Sequence, residues 1–310
     1  MSKLIYSEKA FGVVISAKVS YNQSMVICII LAVLGAAFLV TALISTFTLR
    51  TTRLEIPLKN LPDEFDGFKL VHISDLHNAS FGRSNGRLAS RIKECAPDCV
   101  LVTGDFAGGV SFEHPEKGSF RKLCLALKPL PVYVSLGNHE MRLVYRHMDL
   151  FEKQLADVER NGCVLLHNAA ARIERNGAHI NLFGLSVEGA RHRGLHQFRI
   201  PEGIFDGPLK PEGNAANILM AHIPQFLPEY ADAGFDLVLS GHIHGGIVRI
   251  PGLGGVFSPT RRLFPEYCYG LYERGKTKMF VTAGLGRALI PLRFLCRPEV
   301  AEIVLKKARE

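Results

Sequence analysis

The segment "SGHIHGG", Ser240 to Gly246, puts two imidazoles one residue apart in a glycine-rich turn that closes an apolar run. Residues two apart on extended backbone face the same way, so His242 and His244 can aim both rings at one point. Gly241, Gly245 and Gly246 let the main chain approach an ion closely. Four other apolar runs end in similar chemistry. "FKLVHIS" is followed by Asp75 and His77, "CVLVTG" by Asp105, "PVYVSLG" by Asn138, His139 and Glu140, and "NILMA" by His222. Oxygen and imidazole donors of this kind suit zinc, manganese or iron. No cysteine sits among them, which argues against a structural thiolate site.

Singly, each motif has a plain explanation. Asp75 can cap a helix, Asp105 and Asn138-His139 can be turn residues after glycine, and His222 can be a packed core histidine. Their common position is the signal. The chain alternates strands (68–74, 99–105, 131–140) with amphipathic helices (85–97, 119–130, 142–162), each closed by proline or glycine. That order at that spacing predicts a parallel sheet with crossover helices. Further strands are expected at Cys163–His167, His179–Gly184, Ala216–Ala221, Asp236–Ser240, Ile247–Ile250, Lys278–Thr282 and Val300–Leu305, with a long loop over 186–214. Carboxyl ends of strands form the ligand-binding edge of an open α/β sheet, and five of them deliver these side chains.

Composition limits the alternatives. The 310 residues carry a net charge of +8, with no basic stripe interleaved with aromatics, so no nucleic-acid partner is expected. The seven cysteines show no paired metal-knuckle spacing and read as small buried hydrophobes. Met25 to Ser45 holds no charge, spans roughly 30 Å as a helix and has no polar face. It is too long for a signal-peptide core. The expected layout is a tail over 1–24, a transmembrane anchor over 25–46 and a soluble domain over 50–310. Lysines before the anchor and basic residues after it nearly balance, so charge alone leaves the side of the membrane open.

The ordered set D-x-H, G-D, G-N-H-E, H and G-H-x-H resembles the calcineurin-like metallophosphoesterases, over about residues 68 to 305. "DGFKLVHISDLHNASFG", "MAHIP", "SGHIHGG", "TAGLGRALIPLRFLCRPEV" and the apolar N-terminal helix are similar to its membrane-anchored bacterial branch. The resemblance implies an α/β fold of four layers (α/β/β/α), preceded here by the transmembrane helix, and two divalent ions, manganese, zinc or iron. Asp75, His77, Asp105 and His244 would hold one ion; Asp105, Asn138, His222 and His242 would hold the other. His139 would protonate the leaving alkoxide, with a hydroxide bridging the ions as nucleophile. Glu140 is a candidate to orient a histidine, or a surface residue.

For substrate contacts the candidates are Asn78, Asn85, Arg249, Arg287 and the trio Arg191, His192 and Arg193; "RRLFPEYCYG" (261–270) can line the site or rest on the membrane. The expected activity is hydrolysis of phosphate mono- or diesters beside a membrane. The alternatives are a pyrophosphatase of a lipid-linked nucleotide resembling UDP-diacylglucosamine, and a non-catalytic scaffold; the scaffold fits poorly with a complete ligand set. A metallo-β-lactamase reading of "HIH" fails because Gly246 stands where an aspartate is needed.

Overall fold

The computed structural model describes residues 8–192, 195–259, 262–287 and 292–309, with only the main chain described for 8–22 and 188–197. Helix α1 (Glu8–Phe47) contains the apolar stretch; Gln23–Phe47 has a mean hydropathy of 2.9 and is long enough to cross a bilayer. Its Leu31, Val33 and Leu34 are exposed, unlike the side chains of a core helix.

The first half then runs β1 (Arg50–Leu58), β2 (Lys69–Ile73), α2 (Gly86–Glu94), β3 (Cys99–Thr103), α3 (Ser119–Leu127), β4 (Val132–Ser135), α4 (Asn138–Val144), α5 (Met148–Arg160) and β5 (Val164–Leu165). The second half runs β6 (Ala169–Arg175), β7 (Ala178–Leu185), β8 (Glu188–His192), β9 (Leu195–Arg199), β10 (Asn217–Ala221), α6 (Leu227–Ala233), β11 (Leu237–Ser240), β12 (Val248–Ile250), β13 (Gly254–Phe257), β14 (Gly270–Arg274), β15 (Thr277–Val281) and β16 (Glu299–Lys307).

Two six-stranded sheets result, ordered β1-β16-β2-β3-β4-β5 and β14-β15-β11-β10-β7-β6. Strands β2 to β5 are mutually parallel, as are β7, β10, β11 and β15. Both faces of each sheet are covered, which is why the strands read as unbroken apolar runs. Leu70, Leu101 and Ile303 of the first sheet pack against Ile218, Met220 and Leu239 of the second. On the outer face of the first sheet, Val71, Val100 and Val134 meet Leu88, Ile92 and Leu123 of α2 and α3. On the outer face of the second, Leu219 and Val238 meet Leu227 and Tyr230 of α6. The layers are therefore helix, sheet, sheet, helix.

The structure departs from the sequence reading in several places. The helix expected over 142–162 is two helices, and the strand expected to 140 ends at Ser135. Glu140 accounts for the second difference: its carboxylate accepts the Gly137 N–H, so a helix starts at Asn138. That helix stops at Tyr145, and His147, in extended φ at −152°, precedes the next. The loop over 186–214 contains the hairpin β8–β9. Strand β6 was not expected, since alternating alanine and charge in "AAARIER" carries little strand signal. Strand β1 follows directly on α1. It pairs in parallel with β16 along its whole length, Arg50 opposite Glu299 and Leu58 opposite Lys307.

Candidate metal centre

All seven candidate ligands lie where the carboxyl ends of the two sheets meet. Asp75 leaves β2, Asp105 leaves β3, and Asn138 opens α4 after β4; His222 leaves β10, while His242 and His244 leave β11. Hydrogen bonds tie the two sets together. His222 Nδ1 lies 2.6 Å from the Thr103 carbonyl oxygen, and the His242 N–H points at both Asp75 oxygens at 3.1 Å.

The main chain is strained at this point. Asp75, His77, Asp105, His242 and His244 all hold positive φ, between 45° and 72°. Residues other than glycine seldom adopt such angles, and they concentrate at functional sites. Glycine is required at two close approaches. A Cβ on Gly137 would overlap the Asp105 carboxylate, and one on Gly241 would overlap Ser74 Oγ. Glu140 is fully buried, not a surface residue, and its carboxylate accepts the N–H groups of Asp105, Ala107 and Gly137 at 2.9–3.0 Å. It orients the two ligand loops through their main chain, and among the described residues its hydrogen bonds go to main-chain N–H groups and not to a histidine ring.

The donor atoms fall into overlapping groups. Those of Asp75, His77 and His244 lie within 4.8 Å of one another, as do those of Asp105, His222 and His242, and those of His77, Asp105 and His139. His244 Nε2 is 3.3 Å from Asp75 Oδ1 and 3.1 Å from His77 Nε2. His222 Nε2 is 3.2 Å from Asp105 Oδ2 and 3.8 Å from Asp75 Oδ1. Asn138 Oδ1 is buried and accepts no hydrogen bond among the described residues. A buried amide oxygen without a donor is costly in a folded chain, and beside two carboxylates and neutral imidazoles it fits a divalent cation.

Electrostatics point the same way. Burial raises Asp75 to about 6, with His222 opposing and Asp105 adding to the rise. Burial also opposes charge on Asp105, but His222 and His139 outweigh it and hold this carboxyl well below the usual range. Burial disfavours charge on His222 too, yet Asp105 and Asp75 raise it to about 10. Burial lowers His77 to about 4 and pushes His244 far down, so both rings keep free lone pairs. Two acidic groups thus draw positive charge to this point: His222 takes it as a proton, while His77 and His244 beside it stay neutral.

The centre opens into a cavity of about 480 Å³, lined by His77, Asp105, Asn138, His139, His242 and His244, with Phe112, Arg142, Pro259 and Arg287 around them. Arg287 is therefore at the cavity. Asn78 is not among its lining residues; its Oδ1 accepts the Ser119 N–H at the start of α3. Asn85 is fully buried, bonded to the Phe81 N–H and the Ser119 carbonyl. Both asparagines pin α3 in place. Arg249 turns away from the cavity, donating to the Gly245 carbonyl with its guanidinium over Tyr269. The side chains of Arg191 and His192, and residue 193 entirely, lie outside the described residues.

Sequence reasoning missed three contributors. Arg142, two residues past Glu140 at the end of the GNHE motif, lines the cavity. Phe198 of β9 sets its ring edge-on to His242, with centroids 5.2 Å apart. Arg293 is fully buried, donates to the carbonyls of Ala283 and Gly286, and lies 3.3 Å from His244 Nδ1. An arginine inside an apolar tail segment was its only signal. All seven cysteines are free, and six are buried.

Known proteins resemble this chain along most of its length. It is 29% identical over 268 residues to an uncharacterised metallophosphoesterase of Bacillus subtilis, YkuE, covering 83% of this chain and 86% of that one. It is 28% identical to the phosphodiesterase YaeI of Escherichia coli, covering 77% and 82% of the two chains. A zebrafish (Danio rerio) transmembrane protein with a metallophosphoesterase domain is 32% identical over 93% of this chain, which spans 64% of that longer protein. The family model for calcineurin-like phosphoesterases matches residues 68–246, more than half of the chain. The protein thus belongs to the calcineurin-like phosphoesterases, metal-dependent hydrolases of phosphoric esters.

Proposed function

We propose that the chain is a membrane-anchored phosphoesterase, with a tail over 1–24, an anchor over 25–46 and a catalytic domain over 50–310, that hydrolyses phosphate mono- or diesters at a centre of two divalent cations. The observation that carries this reading is the double membership of Asp105, whose carboxylate belongs both to a group with His222 and His242 and to a group with His77 and His139. A carboxylate has two oxygens and can serve two ions. Asp75, His77, Asp105 and His244 would hold one ion, and Asp105, Asn138, His222 and His242 the other. Manganese, zinc and iron all suit this donor set. Such a pair neutralises an anionic ester and makes a coordinated water acidic.

The chain's own residues supply the rest. Arg142 and Arg287, on the cavity wall, bind phosphate oxygens and turn the ester toward the metal centre. The His139 side chain is 34% exposed, with Nε2 3.9 Å from Asp105 Oδ2, so the ring reaches the cavity from the protein side. It gives its Nε2 proton to the departing oxygen. The His139 N–H donates to Asp105 Oδ1 at 2.8 Å, fixing acid and carboxylate to each other. The names of two relatives, a phosphodiesterase and a transmembrane protein, support the reaction class and the anchor.

A second reading, pyrophosphate hydrolysis in a lipid-linked nucleotide, draws on one observation: the Arg287 guanidinium lies over the ring of Phe47, the last residue of α1, 6.0 Å away. The test is hydrolysis of bis- and mono-p-nitrophenyl phosphate by the detergent-solubilised full chain with manganese, alongside His139→Ala and Asp105→Asn. Activity lost in both variants supports the esterase. A chain that binds two metals and hydrolyses neither ester supports the second reading, and a chain that binds none supports a scaffold.

A further inference from the structure

The last turns of α1 are not a free tether. Ala42, Ser45 and Thr46 are buried against the domain. Ser45 Oγ accepts the Leu295 N–H at 3.0 Å, and Thr46 Oγ1 accepts the Arg293 N–H at 2.8 Å. Arg297 donates to the carbonyls of Thr48 and Leu49 just past the helix end. Further down the helix, the ring of Phe38 stacks on Phe294, with centroids 4.7 Å apart.

The opposite face of the same turns carries Leu39, Val40, Leu43, Ile44 and Phe47, all more than 40% exposed. A contiguous apolar face of this size is tolerated only against lipid or protein. The helix cannot escape by sliding, because Tyr21, Asn22, Gln23 and Ser24 are polar and a span of about 20 residues starting at Met25 ends near Ile44. Phe38 lies nine residues before Phe47, about 13 Å along the axis. The domain segment stacked on Phe38 therefore lies at the depth of the acyl chains.

That segment belongs to a small sheet. Phe294 bridges to Val248 of β12, β12 pairs with β13, and Phe257 of β13 bridges to Leu263. The free edge and tips of this sheet carry Leu253 (64% exposed), Leu263 (66%), Phe264 (58%) and Leu295 (44%), with exposed Arg262 beside them. Apolar side chains flanked by a cation are what an interfacial membrane surface requires.

We propose that this small sheet is a second membrane contact, sunk into the head-group and upper acyl region of the leaflet in which α1 ends. The occupant of the patch is the bilayer, because the patch is continuous through Phe294 with a helix face that itself needs lipid. The domain is then held at two points, and the cavity mouth, marked by Arg287 over Phe47, faces the lipid phosphates. This inference rests on the anchor reading of α1.

The chain contains no tryptophan, so single tryptophans report their own surroundings. The full chain is reconstituted in phosphatidylcholine vesicles with and without lipids brominated on the upper acyl chain. Phe264→Trp and Leu295→Trp are compared with Leu34→Trp in mid-helix and Val164→Trp on β5, at the far edge of the first sheet. The expected result is blue-shifted emission and bromolipid quenching at 264 and 295, as at 34, and neither at 164. Quenching at 34 with 264 and 295 behaving like 164 overturns the second contact and leaves the anchor standing. Blue-shifted emission at 264 and 295 without bromolipid quenching means that protein covers the patch, and also overturns it. Loss of quenching at 34 removes the anchor and this inference with it.

Discussion

The guanidinium of Arg293 lies 3.3 Å from Nδ1 of His244, inside the protein and out of reach of solvent. The same residue's main-chain N–H donates to Thr46 Oγ1 of α1. One arginine thus joins the end of the apolar helix to a candidate metal ligand. Removing the side chain strands the carbonyls of Ala283 and Gly286 without a donor. Arg293→Met should cost about 3 kcal/mol of stability, measured by urea unfolding in detergent. It should also weaken metal binding, because the 283–286 loop that Arg293 ties down beside His244 loses its donor. Arg293→Lys, with one charge and fewer donors, should fall between.

Glu140 offers a test of loop geometry. Its two carboxylate oxygens serve three main-chain N–H groups. Glu140→Gln turns one oxygen into a donor that faces another donor. The expected loss is about 2 kcal/mol in stability, with metal affinity reduced although no ligand is altered. Unchanged manganese affinity, read by calorimetric titration, would show that the two ligand loops hold their shape without it.

His139 separates chemistry from binding. His139→Ala should lower kcat by about 10²- to 10⁴-fold with two equivalents of metal still bound by elemental analysis. Metal lost together with activity would make His139 a ligand instead of the acid.

His72 gives a pH dependence away from the candidate ligands. It is fully buried on β2, with Nε2 2.8 Å from Thr103 Oγ1, and burial lowers it to about 3. Its folded pKa lies below the unfolded value of 6.5. Above pH 6.5 both states hold the ring neutral, and its contribution to stability is fully present. Below 6.5 the unfolded chain takes a proton that the folded chain refuses. Stability is then lost as the pH falls toward 3, at up to about 1.4 kcal/mol per unit. His72→Gln should flatten that part of the profile relative to the parent chain, read as urea midpoints from pH 7 down to pH 4.

How much of this was legible in the sequence depends on what sort of force places each residue. The candidate ligands were readable because each follows an apolar run, and buried parallel strands must end where their apolar residues end. The layers followed from the same alternation. The early end of β4 and the start of α4 were hidden because they depend on Glu140 reaching back to Gly137, a contact between side chain and main chain that hydrophobic periodicity does not report. Asn78 and Asn85 were misplaced because nearness in sequence to Asp75 says nothing about side-chain direction; both turn toward Ser119. Arg293 was invisible because its partners, His244 and Thr46, are far away along the chain and come together only when the domain closes on the helix.

The position of β16 has a consequence for biosynthesis. It lies between β1 and β2, parallel to the first and antiparallel to the second. The first sheet therefore has an open slot until residues near 307 have left the ribosome. By then α1 is long since made, so on the anchor reading it would already have met its membrane. Strand β1 must wait, its ladder unpaired, for β16 to arrive. The order of synthesis thus makes closure of the first sheet a late event, after any insertion of α1.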